Sequence, residues 1–510
     1  MELSLINERL SYAENVFSET HTTEETMEMI VPDAMPDILR IISADAVVLL
    51  RSKDTSTERV TVSGAATVSV IYAPEGETGL RRVRLEIPFQ ITGGGHRITP
   101  LSRATVRLIP GAVNAMALNP RKVSVRINVA ADISCYNDTE LIIPSSIAAA
   151  ELQNIEVLPG ETEVSLPVEV LEKTFVASYE YQIPQTNPPV GEILKTTVSL
   201  TPGEYKVVGS KLIFKGLTTV SVLYSSADGG EVAACSYETE YSQLLELENA
   251  NTGSEFEIIP LLTGAYIESD TLSDSDGRRL SAELHIVAQC VARCSKRFGF
   301  ISDAYSSRYE LETIQSALSL AGTPVSFCVP AVLRTTLEAP ELSRIITVTA
   351  KPGLPTGGFT DGKLSLSTPV DVEALYVTND GAIRSATVGS VVEASADIAV
   401  GTELKISARC SGEVYGAAAD GGIEVRAPIE LLVQSAATHE CKFISELSID
   451  DETPLDLPDL PSLVIARVSH GDSLWTLAKR HRSTCALIAA ANELEEGESL
   501  PTVLVIPKKR

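Results

Sequence analysis

Apolar and polar residues alternate over short runs through most of residues 1–440. A period of two predicts strands with one buried and one solvated face. The runs Lys122–Val129 and Arg279–Ile286 show this alternation, and a shorter run, Ile423–Leu431, contains Pro428. Because proline cannot donate a ladder hydrogen bond, the third run is predicted to be an edge strand.

One short pattern returns at a fixed period. Three β-branched runs each end in a tyrosine, and 152 residues separate Tyr72 from Tyr224 and Tyr224 from Tyr376. A turn rich in Gly, Asn or Asp follows each tyrosine, and Pro32 and Pro184 keep the same spacing. Strand, turn and strand repeated in this way predict three related units of mainly β structure, built as tandem antiparallel β-sandwich-like repeats. We place them at residues 1–160, 161–322 and 323–443.

Helical spacing of apolar residues is scarce before residue 440. Pro36–Ile42 forms one short candidate helix, and Arg308–Ala321 forms another, with Leu311, Ile314 and Leu318 at helical spacing. The glycine and proline that follow would end the second helix.

The texture of the sequence changes after Cys441. Residues 444–463 interleave acidic residues with prolines, which predicts a semi-rigid linker. Residues 464–510 then predict a strand, two helices and a strand. These are Val464–Val468, a helix capped by Asp472 or Ser473, a helix at Thr484–Ala491 and the strand Val503–Ile506. Asn492 stands where a left-handed helix cap is expected.

Charge narrows the classes of partner. The 510 residues carry a net charge of −27, so the basic surface that a nucleic acid requires is lacking. From Val464 onward, seven basic residues stand against five acidic ones, which favours an acidic partner surface for this module.

The sequence also predicts a compartment and a chemistry. The first twenty residues lack the apolar run of an export signal, and no run of 18 apolar residues predicts a membrane span. The eight cysteines are therefore expected to be reduced thiols in the cytoplasm, with Cys290 and Cys294 as core or surface thiols rather than metal ligands. No catalytic constellation and no cofactor pocket can be nominated, so we expect a protein that is not an enzyme.

The C-terminal module resembles a LysM domain. The resemblance is carried by Val468–Ala478, Asn492–Leu494 and Leu504–Pro507. LysM domains bind N-acetylglucosamine-containing glycans, such as peptidoglycan, in a shallow groove between the loop after the first strand and the loop before the last. The resemblance implies a ligand or partner groove at Gly471, Asp472, Ser473, Leu474, Trp475, Asn492, Ile506 and Pro507.

Residues Met29–Arg40 resemble the opening of a SPOCS domain, the β-rich domain of spore coat and envelope proteins. SPOCS repeats followed by one LysM domain resemble the SipL family, whose LysM domain is implicated in binding a SpoIVA-like coat morphogenetic ATPase. The resemblance implies a scaffold or adaptor of endospore coat and envelope assembly on the mother-cell side of the forespore surface. Whether exposed sheet edges pair between copies stays open, although coat-like assembly would use them.

Three alternatives stay open at this stage. Trp475 either completes a small core or serves as an exposed anchor for a partner. Asp472 and Ser473 either cap a helix or contact a ligand, and the two roles are compatible. The protein is either an adaptor, a peptidoglycan-binding protein or, with only the frequent pairing of LysM with catalytic domains behind it, a hydrolase.

Overall fold

The computed structural model describes residues 3–148, 154–269, 277–322, 324–360, 363–397, 403–450, 462–495 and 499–508. Most of these residues lie in strands. The first unit consists of β1 (Leu5–Ile30), β2 (Ile38–Ser56), β3 (Arg59–Pro74), β4 (Arg81–Gly94), β5 (Arg103–Asn119) and β6 (Lys122–Ile147). The second consists of β7 (Ile155–Gln182), β8 (Val190–Val208), β9 (Lys211–Ser226), β10 (Val232–Glu246), β11 (Glu255–Ser269) and β12 (Arg279–Ser306).

The third unit and the C-terminal module complete the chain. The third unit consists of β13 (Leu311–Ala321), β14 (Val325–Glu338), β15 (Leu342–Pro352), β16 (Thr356–Thr360), β17 (Lys363–Thr378), β18 (Ile383–Ala396), β19 (Glu403–Cys410), β20 (Tyr415–Ala419), β21 (Gly422–Ala436) and β22 (Thr438–Ile449). The module consists of β23 (Leu463–Arg467), α1 (Leu474–His481), α2 (Cys485–Ala491) and β24 (Val503–Pro507).

Each unit folds two antiparallel sheets against one another. In the first unit the sheets have the orders β1-β6-β5 and β2-β3-β4, and in the second unit β7-β12-β11 and β8-β9-β10. Val70 and Ile127, from opposite sheets of the first unit, lie buried in one apolar cluster. The prediction of antiparallel, sandwich-like β units is confirmed.

The third unit repeats this design with interrupted strands. β13 pairs with β22 and β14 pairs with β21, so these four strands take the places of β7 and β12. β19 and β20 both pair with β21 and together replace β11. The pairing of first and last strands favours unit limits at residues 5–147, 155–306 and 311–449.

The repeated tyrosines hold a repeated loop. The hydroxyl of Tyr72 donates to the Pro36 carbonyl (3.1 Å), and the hydroxyl of Tyr224 donates to the Pro188 carbonyl (2.9 Å). These two prolines also lie 152 residues apart. In the third unit this loop is shorter, because only residues 339–341 connect β14 to β15. Its tyrosine, Tyr376, is buried in the apolar core.

The three units meet around a shared apolar cluster. Six of its members form two sets of three equivalent positions, each 152 residues apart. One set is Ile42, Leu194 and Ile346, and another is Ile71, Leu223 and Leu375. Equivalent faces of three units that meet at one place give the body an approximate three-fold arrangement.

A buried ion cluster lies at the same junction. The Nζ of Lys195, in the second unit, lies 3.1 Å from an Asp45 carboxylate oxygen of the first unit and 3.1 Å from a Glu373 oxygen of the third. Lys351, also in the third unit, contacts the other Asp45 oxygen. Burial alone would raise the pKa of Asp45, but the two ammonium groups outweigh it and lower the pKa to about 2.

Both helices predicted before residue 440 are wrong. Pro36 belongs to the loop that accepts the tyrosine hydroxyl, and Ile38 already begins β2. Most of Arg308–Ala321 is strand β13, which is paired with β22. A bulge between Ile314 and Gln315 shifts the strand's phase, and Ile314 is exposed although a helix would have placed it with Leu311 on the buried face. The broken alternation imitates helical spacing.

Two further predictions require correction. β21, which contains Pro428, is not an edge strand, because it has neighbours on both sides. Its proline lies opposite the gap between β19 and β20, where no ladder hydrogen bond is required of it. Residues 444–449, predicted as linker, belong to β22. Residues 451–461 of the predicted linker lie outside the described residues.

Candidate functional site

The C-terminal module is a two-stranded sheet covered by two helices. β23 and β24 pair antiparallel, with Ala466 opposite Leu504. Leu477, Ala478 and Ile488 from the helices pack with Leu504 and Ile506 in a small buried core. The predicted order of strand, helix, helix and strand is confirmed.

The loop after β23 is held by its own side chains. Asp472 accepts the Ser469 amide (2.9 Å) and is paired with Arg480 at 2.8 Å. These contacts, the amide first and the guanidinium next, lower the pKa of the Asp472 carboxyl. Gly471 lies in this loop with φ of +92° and faces solvent, a conformation that favours glycine.

Ser473 caps the first helix. Its hydroxyl accepts the Thr476 amide (3.1 Å), and the Thr476 hydroxyl accepts the Ser473 amide (2.8 Å), which completes a capping box. The capping role predicted for Asp472 or Ser473 therefore falls to Ser473. Asp472 fixes the turn that precedes the cap.

Asn492 fastens the second helix to the last strand. Its amide nitrogen donates to the carbonyls of Ile488 (2.7 Å) and Val505 (2.6 Å), and its oxygen accepts the Val505 amide (2.8 Å). The left-handed cap predicted at Asn492 is wrong, since its φ is −114°. Glu493 adopts the left-handed conformation instead, with φ of 53°.

The predicted groove residues fall into two groups. Leu474 and Trp475 pack around the apolar core that contains Ile506, and Ile506 is fully buried. Of the remaining residues, Gly471, Asp472 and Ser473 lie between β23 and α1, whereas Asn492 caps the end of α2 and Pro507 ends β24. The side chains of Asp472, Ser473 and Asn492 already form hydrogen bonds within the module, so their contribution to binding stays a prediction.

Trp475 is in contact with the body of the same chain. Its indole nitrogen donates to Asp303 (2.8 Å), and its ring lies edge-on to Tyr305 with the centroids 4.9 Å apart. The Tyr305 hydroxyl donates to the Ser483 carbonyl (2.7 Å), and its ring joins the core of the module. Neither open reading of Trp475 anticipated this neighbour.

Two basic side chains of the module extend the contact. The Nζ of Lys479 lies 2.7 and 2.8 Å from the two Asp303 oxygens. Arg482, which adopts a left-handed conformation with φ of 56°, donates to the Ser306 and Tyr309 carbonyls (3.1 Å each) and to Glu310 (2.8 Å). The acidic surface that these two basic residues meet is the body's own.

A repeated bulge positions Asp303. In the last strand of each unit one extra serine interrupts the pairing, and its hydroxyl donates across the ribbon. The three contacts are Ser145 to Ile6 (3.1 Å), Ser302 to Leu158 (3.0 Å) and Ser445 to Ile314 (3.2 Å). A bulge redirects the residue that follows it, which in the second unit is Asp303.

Sequence reasoning missed Asp303, Tyr305 and Glu310 altogether. They lie more than 170 residues before their partners Trp475, Ser483 and Arg482, and no local pattern signals so distant a contact. The two cysteines weighed as metal ligands lie in the second unit. Cys290 and Cys294 are buried, and the Cys294 sulfur lies 2.8 Å from the Ser254 hydroxyl oxygen.

Two family models match the chain. A model described as the SipL SPOCS domain matches residues 189–264, and a LysM domain model matches residues 466–501. The chain contains a SPOCS domain and a LysM domain. The SPOCS match lies in the second unit, whereas the sequence resemblance was noted in the first.

SPOCS and LysM are families of binding domains rather than catalytic families, and the two matches support a sporulation-related protein. No curated protein and no solved structure matches the chain. Among the described residues, neither helix is long and apolar enough to cross a membrane.

Proposed function

We propose that the protein is a non-enzymatic scaffold or adaptor of endospore coat and envelope assembly. The observation that carries this proposal is the presence of a SPOCS domain and a LysM domain in one chain. In this proposal the β units form the scaffold and the LysM domain tethers it to a coat morphogenetic ATPase. The protein acts in the cytoplasm, on the mother-cell side of the forespore surface.

The joint between the units supports a scaffold role. A buried core and a buried ion cluster connect all three units, so we expect them to move as one body. A load applied to one unit is therefore passed to the others through packed side chains. Such a body holds several binding surfaces at fixed separations.

A pull-down from sporulating cells tests the tether. The full-length protein should recover the coat ATPase, and a version ending at Leu463 should not. Asn492→Ala, which unfastens α2 from β24, should weaken recovery, whereas Ala490→Ser on the exposed side of α2 should not. Equal recovery with the truncated protein would contradict the tether.

A second function is favoured by the LysM match itself. The groove residues would bind N-acetylglucosamine units of peptidoglycan. Loop amides and polar side chains would form hydrogen bonds with the sugar, and apolar side chains would pack beneath it. Co-sedimentation with purified peptidoglycan tests this function. Binding that N-acetylglucosamine oligomers compete away would support it, and indifference to both would exclude it.

A further inference from the structure

The end of β12 and the segment after it form a docking surface for the LysM domain. This docking surface consists of Asp303, Tyr305 and Glu310, with the carbonyls of Ser306 and Tyr309. We propose that it withholds Trp475 from ligands, so that a ligand using Trp475 must first displace the body. The inference concerns the same LysM site as the proposed function and rests on that function only for its binding readout.

The contact involves both the nitrogen and the ring of Trp475. The indole nitrogen is hydrogen-bonded to Asp303, and the ring packs edge-on against Tyr305. A ligand that stacked on this ring or accepted its N–H would compete for the same atoms. Docking and ligand binding through Trp475 therefore exclude one another.

The ion pairs of this contact are partly exposed and can exchange with solvent. The Asp303 and Lys479 side chains are 24% and 45% exposed, so water and salt compete with their pairing. The Arg482 and Glu310 side chains are 29% and 65% exposed. Partly exposed pairs can be exchanged for the carboxylates or hydroxyls of a ligand without leaving a charge buried.

The docking surface occurs at one of three equivalent places. The residue after the bulge serine is Ser146 in the first unit, Asp303 in the second and Glu446 in the third. Two positions further on stand Ala148, Tyr305 and Ser448. The second unit alone combines a carboxylate that meets an indole with an aromatic ring that enters the LysM core. The combination is therefore specific to the unit that contacts the LysM domain and is not shared by the other two repeats.

Trp475 is the only tryptophan, so its fluorescence reports docking in the intact protein. Asp303→Lys places a cation beside Lys479 and should shift the emission to longer wavelength and increase quenching by acrylamide. The double variant Asp303→Lys with Lys479→Asp restores opposite charges but not the acceptor of the indole N–H, so it should reverse both changes in part. Glu180→Lys, at an exposed position of the same unit, is the matched control and should change neither.

Sedimentation with peptidoglycan supplies the second readout. If docking holds about nine molecules in ten, releasing it should tighten binding about tenfold in Asp303→Lys, and the double variant should return part of the way to the original affinity. Equal quenching in the original protein and in Asp303→Lys would overturn the proposal, as would exposure of Trp475 with unchanged affinity for bound peptidoglycan. Exposure of Trp475 in a protein that never binds peptidoglycan would support the docking surface and exclude the glycan function.

Discussion

The molecule has two ionic joints with opposite surroundings. Asp45 and Lys195, which join the β units, are 4% and 7% exposed, whereas Asp303 and Lys479, which join the body to the LysM domain, are 24% and 45% exposed. The two joints therefore differ in how far water reaches their charged groups.

Burial decides how each joint responds to change. Removing one member of a buried pair leaves a charge without solvent or partner, which costs several kcal/mol. An exposed pair is screened by salt and contributes about 1 kcal/mol or less. On this reasoning the charges that join the units stay paired, whereas the charges that join the body to the LysM domain can exchange with water and salt.

Lys195→Met should give the largest effect, a loss of about 3 kcal/mol or more in the free energy of unfolding. The cause is that the Glu373 carboxylate loses its lysine and the buried Asp45 carboxylate keeps only Lys351. Denaturant unfolding measures it. Lys215→Met is the control: it breaks the pair of Lys215 on β9 with Glu240 on β10, whose side chains are 58% and 70% exposed, and should cost less than about 1 kcal/mol. Equal losses in the two variants would contradict the comparison.

Leu223→Ala tests the apolar half of the same joint. Leu223 is 5% exposed in the cluster shared by the three units, so its truncation should cost about 2–4 kcal/mol. Leu217→Ala, at a position on the same strand that is 39% exposed, is the matched control and should cost much less. If the three units unfolded in separate steps in the original protein, a single cooperative body would be ruled out.

Acid should loosen the joint between units. The pKa of Asp45 is lowered to about 2 from an ordinary value of 3.8, so its contribution is complete above about pH 4 and is lost as the pH falls through 2. The loss should be about 2 kcal/mol. Urea unfolding between pH 4 and 2 measures it, and Asp45→Asn should flatten that part of the profile. An unchanged slope would contradict the assignment.

Lys479→Gln should give the smallest effect. We expect the free energy of docking to weaken by about 1 kcal/mol or less at low salt. At about 0.5 M salt we expect almost no change, because salt already screens the pair. The Trp475 emission measures docking in both conditions. Arg467→Gln, at an exposed position of β23, serves as the control. A large loss that salt did not alter would place this joint in the buried class.

The sequence predicted the parts of the fold that are set locally. Alternation and turn residues are short-range signals, so Lys122–Val129 and Arg279–Ile286 were identified as strands and the C-terminal module as strand, helix, helix and strand. The helices predicted at Pro36–Ile42 and Arg308–Ala321 failed because a loop anchor and a bulge are set by distant residues.

The candidate site was predictable only in part. The cap at Ser473 follows from its neighbours in sequence, and the turn at Gly471 is local as well. The contact of Trp475 with Asp303 depends on how the module docks on the body. It is set by long-range packing that one sequence does not reveal.

Hydrogen exchange at low salt and at about 0.5 M salt tests the central claim, that the joint to the LysM domain exchanges while the joint between units does not. Salt should speed exchange in α1 and in residues 303–310, and leave the strands around Asp45 and Lys195 unchanged. Faster exchange at both joints, or at neither, would contradict the account.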